Sequence, residues 1–98
     1  MDEVDRLPAH EVRRRLRSDA GTLLVCAYEG EVGFRKYPLP GAIALSELRE
    51  RLAGLPRDAE IVLYCRCPED RTAVRRAREL LDLGFPNVKV LAGGHAAW

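Results

Sequence analysis

The stretch Leu63-Tyr64-Cys65-Arg66-Cys67-Pro68-Glu69-Asp70-Arg71-Thr72 packs two thiols, two arginines, two carboxylic acids and two hydroxyls into ten residues. A cysteine attacks sulfur or phosphorus centres as its thiolate, which nearby cations and helix N-terminal amides favour. Cys65, where an apolar run stops, is therefore the candidate nucleophile; the alternative is an inert strand end. Arg66 and Arg71 are candidate anion ligands that would help Cys65 ionise. Thr72 can hydrogen-bond the thiolate or simply sit in a helical first turn. Glu69 and Asp70 read more readily as charges complementing a helix N-terminus than as general acids. Cys67 is a resolving partner or a reactive thiol in its own right, although a disulfide across one residue is strained. A zinc site can begin with Cys-x-Cys, but no second Cys/His pair follows at ligand spacing, and His10 and His95 are far away in sequence.

These residues need a scaffold, and 98 residues provide one domain. Apolar residues make up 47% and charged residues 32%, an ordinary globular balance. Apolar runs of about six residues fall far short of the ~20 that span a bilayer, so membrane insertion and a signal peptide are not expected. The net charge of +1 includes no long unopposed basic block, which argues against nucleic acid. Arg13-Arg14-Arg15-Leu16-Arg17 reads as the solvated face of a helix whose Val12 and Leu16 point inward. Cys26, Cys65 and Cys67 are odd in number and irregularly spaced, as in a reduced, cytoplasmic protein rather than a secreted disulfide framework.

Residues 22–27 and 60–65 are apolar on both faces, as strands covered by helices on both sides are. Residues 88–91 form a third candidate strand and 42–45 a weaker fourth. Ser46 can cap a helix bearing Leu48, Leu52 and Leu55, stopped by Gly54 and Pro56. Ala73, Val74, Ala77, Leu80 and Leu81 form a helical stripe, ended by Gly84, Phe85 and Pro86. Residues 9–18 form an earlier helix entered through Pro8. Alternating strands and helices predict a parallel α/β sheet, in which ligands bind beyond the carboxyl ends of strands. The loop after Cys65 lies there, beside a helix N-terminus.

The strand-Cys-loop-Arg-Thr-helix unit, followed by Leu-Leu-Asp-Leu-Gly-Phe-Pro-Asn-Val-Lys-Val-Leu-Ala-Gly-Gly-His-Ala-Ala-Trp, resembles the rhodanese family of sulfurtransferases. Pro38-Leu39-Pro40-Gly41-Ala42 is similar to the family's His-Ile-Pro-Gly-Ala turn, so the likeness runs through nearly the whole chain. The resemblance implies an α/β sandwich on a five-stranded parallel sheet. It also implies a persulfide on Cys65 that passes sulfane sulfur from a donor such as thiosulfate or a protein persulfide to a thiol acceptor, without cofactor or metal.

The loop departs from the family's Cys-Arg-x-Gly-x-Arg-[Ser/Thr] by one extra residue. Its Cys-x5-Arg length resembles rhodanese-fold phosphatases and arsenate reductases, the second functional reading. Pro68 removes an N–H donor and Glu69 with Asp70 add charge against a dianion, which opposes that reading. The arrangement is also similar to a divergent rhodanese subgroup often fused to bacterial membrane proteins, so a domain excised from a longer chain and a non-catalytic binding module are further readings. Where the family generally has Asp-x-Arg on the second strand, this chain has Cys26-Ala27-Tyr28. That makes Cys26 either a second, sulfur-relay thiol or a small buried residue. The substrate-side set is thus Arg66, Cys67, Glu69, Asp70, Arg71 and Thr72, around Cys65. His95 is expected at the surface and Trp98 in the core.

Overall fold

Ile61–Tyr64, β4, lies at the centre of the molecule, because each of its four side chains is apolar or aromatic and can be buried on either face. All four are completely buried in the computed structural model, which describes residues 4–18 and 21–98. Burial of each such side chain contributes roughly 1.5–3 kcal/mol. β2 (Leu23–Cys26) pairs along one side of β4, with Cys26 opposite Tyr64, and β5 (Val88–Leu91) along the other, with Val90 opposite Leu63. β3 (Ala42–Ile43) flanks β2 and β1 (Asp5–Leu7) flanks β5. All pairings are parallel, in the order β1-β5-β4-β2-β3.

Strand side chains alternate between the two faces. Ile61, Leu63 and Cys65 join the core that contains Leu45 and Leu48 of α3 (Leu45–Arg51) and Ala73, Ala77 and Leu80 of α4 (Arg71–Asp82). Val62 and Tyr64 join the opposite core with Val12 of α1 (Ala9–Arg17), Leu24, Cys26 and Leu91. Trp98 packs partly against this second core and lies under Arg13, whose guanidinium carbon is 5.0 Å from the ring centroid.

α4 stops as its sequence dictates. Gly84 takes φ +99, its N–H reaches the Leu81 carbonyl, and the Phe85 N–H reaches Leu80 at 3.1 Å. Helix α3 differs from expectation: it starts at Leu45 behind Ala44, and Ser46 makes no capping bond. The chain turns straight from β3 to bury Leu45, which moves the start two residues earlier. Two elements carry no legible pattern. β1 is a mostly exposed, charged edge strand held by main-chain pairing, and α2 (Gly30–Lys36) contains two glycines and buries no residue. Among the described residues, no helix is long and apolar enough to cross a membrane.

Candidate active site

Cys65 follows β4 at the carboxyl edge of the sheet, and its side chain is fully buried beside Ala73 and Ala77. Its carbonyl accepts the His95 N–H at 2.9 Å, which places the start of α5 (Gly94–Ala97) against the cysteine backbone. Gly94 has φ +60, and a Cβ there would lie 1.9 Å from the Cys65 carbonyl oxygen. A side chain at 94 therefore cannot coexist with this backbone.

After Cys65 the chain runs through an extended Cys67 into a 3-10 turn, Pro68–Asp70. Glu69 and Asp70 have φ of 58 and 56, left-handed conformations costing non-glycine residues on the order of 1–2 kcal/mol each. Asp70 is 5% exposed; it accepts from Arg6 Nη1 at 3.1 Å and from the Gly93 N–H at 3.2 Å. Arg6 Nη2 also donates to the Glu69 carbonyl at 3.3 Å. Edge strand β1 thus fastens the strained turn from across β5. Asp70 precedes α4 but makes no side-chain cap, because its carboxylate is committed to Arg6 and Gly93. Glu69 is exposed and lines a groove on the outer side of α4.

The turn brings Cys67 back over Cys65, with 2.8 Å between the sulfurs. Thr72 Oγ1 lies 3.2 Å from Cys67 Sγ, and the Tyr28 hydroxyl 3.4 Å. The Arg66 N–H donates to the Tyr28 oxygen at 3.0 Å, which turns the hydroxyl proton toward the sulfur. Burial alone would raise the Cys67 thiol, but Cys65, Thr72 and Tyr28 together with the Thr72 amide bring it down to about 7. Burial pushes Cys65 the other way, to about 11, reinforced by its bond to Cys67 and only partly offset by the Ala73 and Cys67 amides. The sequence suggests that Cys65 ionises readily; instead the acidic, half-exposed thiol is Cys67. A sulfur sealed under α4 loses its hydration, and first-turn amides do not recover that cost.

The arginines are not where the sequence suggests. Arg66 is exposed, its guanidinium carbon 5.8 Å from the centroid of the Tyr37 ring. Arg71 is exposed on the groove beside Arg75 and Glu79, and neither side chain hydrogen-bonds a sulfur. The Cys-x5-Arg spacing therefore forms no arginine-closed oxyanion cradle. Cys26 is buried on the opposite sheet face with Tyr64, and that burial raises its thiol. It faces away from Cys65 because successive strand residues alternate. His95 is half-buried and edge-on to Tyr37, with centroids 5.5 Å apart, so the rim beside Cys67 is aromatic: Tyr28, Tyr37 and His95.

Three residues that matter here carry weak sequence signals. Tyr28 is visible as the departure from the family's Asp-x-Arg strand end, and Gly94 as part of the Gly-Gly signature. Arg6 has no local signal, because its partner lies 64 positions away.

The geometry matches known folds. The chain is similar to reduced Bacillus anthracis CoADR-RHD, at 29% identity and TM-score 0.69, over 93% of this chain and 16% of that one. It is also similar to RDL2, a Saccharomyces cerevisiae single-domain sulfurtransferase, at 20% identity and TM-score 0.66, over 98% of this chain and 89% of that one. An EanB variant in complex with hercynine shares 19% identity at TM-score 0.62, over 91% of this chain and 24% of that one. This chain thus spans a minor part of two of these structures and most of the third. No curated protein sequence matches it. The Rhodanese-like domain model matches residues 9–98, which takes in all of α1, the loop after Cys65 and the Gly93-Gly94 turn, and on that match the chain belongs to the rhodanese-like domain family.

Proposed function

We propose that the protein is a sulfurtransferase in which sulfane sulfur enters on Cys67, with Cys65 as the buried donor that keeps Cys67 ionised. One observation carries this reading: the two sulfurs are 2.8 Å apart at the carboxyl edge of the sheet, and the one held near neutrality is the half-exposed one. The Cys67 thiol, held down to about 7, is the more readily ionised of the two, because burial pushes Cys65 the other way. Direct attack by Cys67 is therefore favoured over attack by Cys65.

The Cys67 thiolate attacks the outer sulfur of a sulfane donor. The donor's inner group leaves as a thiolate or as sulfite, and Cys67 becomes a persulfide. An acceptor thiolate then takes the outer sulfur and restores the Cys67 thiolate, still held by Cys65, Thr72 and Tyr28. Among the described residues no arginine side chain hydrogen-bonds either sulfur, which favours a persulfide donor over the thiosulfate dianion.

Intact mass after incubation with thiosulfate or glutathione persulfide tests the reading in wild type, Cys65→Ser and Cys67→Ser. Cys65→Ser should take up the sulfur and Cys67→Ser should not. Uptake lost only in Cys65→Ser would return the nucleophile to Cys65. No uptake by any folded chain would favour a binding module.

A further inference from the structure

A persulfide on Cys67 leaves the buried Cys65 thiol without covalent work. Cys65 has no exposed surface and lies in the core that also holds Ala73 and Ala77, while the Gly94–His95 turn sits on its carbonyl. It cannot reach an external acceptor. The sulfur that it does touch is Cys67 Sγ, at 2.8 Å. In a Cys67 persulfide that same atom is the inner sulfur of the S–S bond.

Resting on the sulfur-transfer reading, we propose that the Cys65–Cys67 pair also has a sulfide-releasing activity, in which Cys65 resolves a persulfide on Cys67. Cys65 Sγ forms a bond to Cys67 Sγ, the bond between Cys67 Sγ and the outer sulfur breaks, and the outer sulfur leaves as hydrogen sulfide with the proton from Cys65. The sulfane sulfur is reduced to sulfide and the two cysteine sulfurs are oxidised to a disulfide, so atoms and electrons balance. An external dithiol reduces the disulfide and reopens the site.

The contact between the sulfurs favours the step, and the strain of a disulfide across one residue opposes it and keeps the product readily reducible. Disulfide formation brings the sulfurs to about 2.05 Å, a closure of under 1 Å from the present contact. Cys67 is in extended backbone, at φ −133 and ψ 159, and both side chains already converge across Arg66. Such pre-positioning makes the attack intramolecular and compensates for a weakly ionised attacker. Thr72 and Tyr28 hydroxyls border the Cys67 sulfur from which the sulfide departs. Acceptor and Cys65 then compete for different sulfurs. A nearby acceptor thiol takes the outer atom, and without one the pair releases it and closes.

The test is anaerobic reaction of the reduced protein with one equivalent of glutathione persulfide, with no added reductant. Sulfide is measured above a protein-free blank, and the protein by intact mass and peptide mapping. Wild type should release one sulfide per chain and become two hydrogens lighter, with residues 65 and 67 linked; a donor-free control stays reduced. Cys65→Ala, whose side chain fits the apolar pocket, should load sulfur more slowly because Cys67 loses the bond that keeps it ionised, but once loaded should stay one sulfur heavier and release sulfide only when a dithiol is added. Wild type that keeps the sulfur with Cys65 free overturns this inference and leaves sulfur transfer standing. Neither chain gaining sulfur nor releasing sulfide overturns both. If Cys65→Ala does not fold, Cys65→Ser and the wild-type products decide.

Discussion

Tyr28→Phe removes one oxygen and keeps the ring that packs against Tyr37, at 5.9 Å between centroids. In the wild type, the Arg66 N–H occupies the hydroxyl's acceptor side and leaves its proton for Cys67. A hydrogen bond to a charged group is worth about 1.5–3 kcal/mol when well formed. This one is long, 3.4 Å, and shares its sulfur with Cys65 and Thr72, so the low end applies. About 1.4 kcal/mol corresponds to one pKa unit. Cys67 should therefore move up from about 7 by roughly one unit, and its thiolate fraction at pH 7 should fall from about half to about a tenth. Iodoacetamide alkylation at Cys67, followed by mass spectrometry from pH 5 to 10, reads this directly, because Cys26 and Cys65 are buried. The rate at pH 7 should drop about fivefold and converge with wild type at high pH. Superimposable profiles would refute the claim that the hydroxyl holds the thiolate.

Gly94→Ala should destabilise the fold by at least about 2 kcal/mol in urea denaturation, since left-handed strain adds to a contact no rotamer can relieve. Arg6→Ala strips the buried Asp70 carboxylate of its cation. Because Arg6 is itself 46% exposed, the expected loss is about 1–3 kcal/mol, with faster hydrogen exchange in residues 67–71. Wild type should gain stability relative to Cys67→Ser between pH 7 and 9. A folded pKa of about 7 against the ordinary 9 gives stability that is present above 9 and lost as pH falls through 7, on the order of 1 kcal/mol after screening. Above pH 9 the raised Cys65 thiol works against folding, because the folded state resists its ionisation, so stability should decline again toward 11. Cys26→Ala should leave sulfur uptake unchanged while costing about 1–2 kcal/mol in thermal unfolding, as loss of a buried apolar group does.

Much of the scaffold is legible residue by residue. Val62, Leu63 and their neighbours are apolar at every position, which requires cover on both faces, and the stripe from Ala73 to Leu81 with Gly84 behind it encodes α4 locally. Strand–helix alternation then places the loop after Cys65 at the ligand-binding edge. Sequence alone thus determined the fold class and the place of the loop after Cys65 at the carboxyl edge of the sheet. Tertiary structure decided which thiol ionises more readily, because desolvation depends on what packs over each sulfur: Cys65 is sealed in the core to which α4 contributes Ala73 and Ala77, while the turn holds Cys67 half-exposed between Thr72 and Tyr28. It also decided that Cys26 faces the other core, that Arg66 lies against Tyr37 and Arg71 on the groove of α4, and that Arg6 holds the strained turn. Those outcomes depend on strand alternation and contacts across as many as 64 positions, and chain spacing does not encode them.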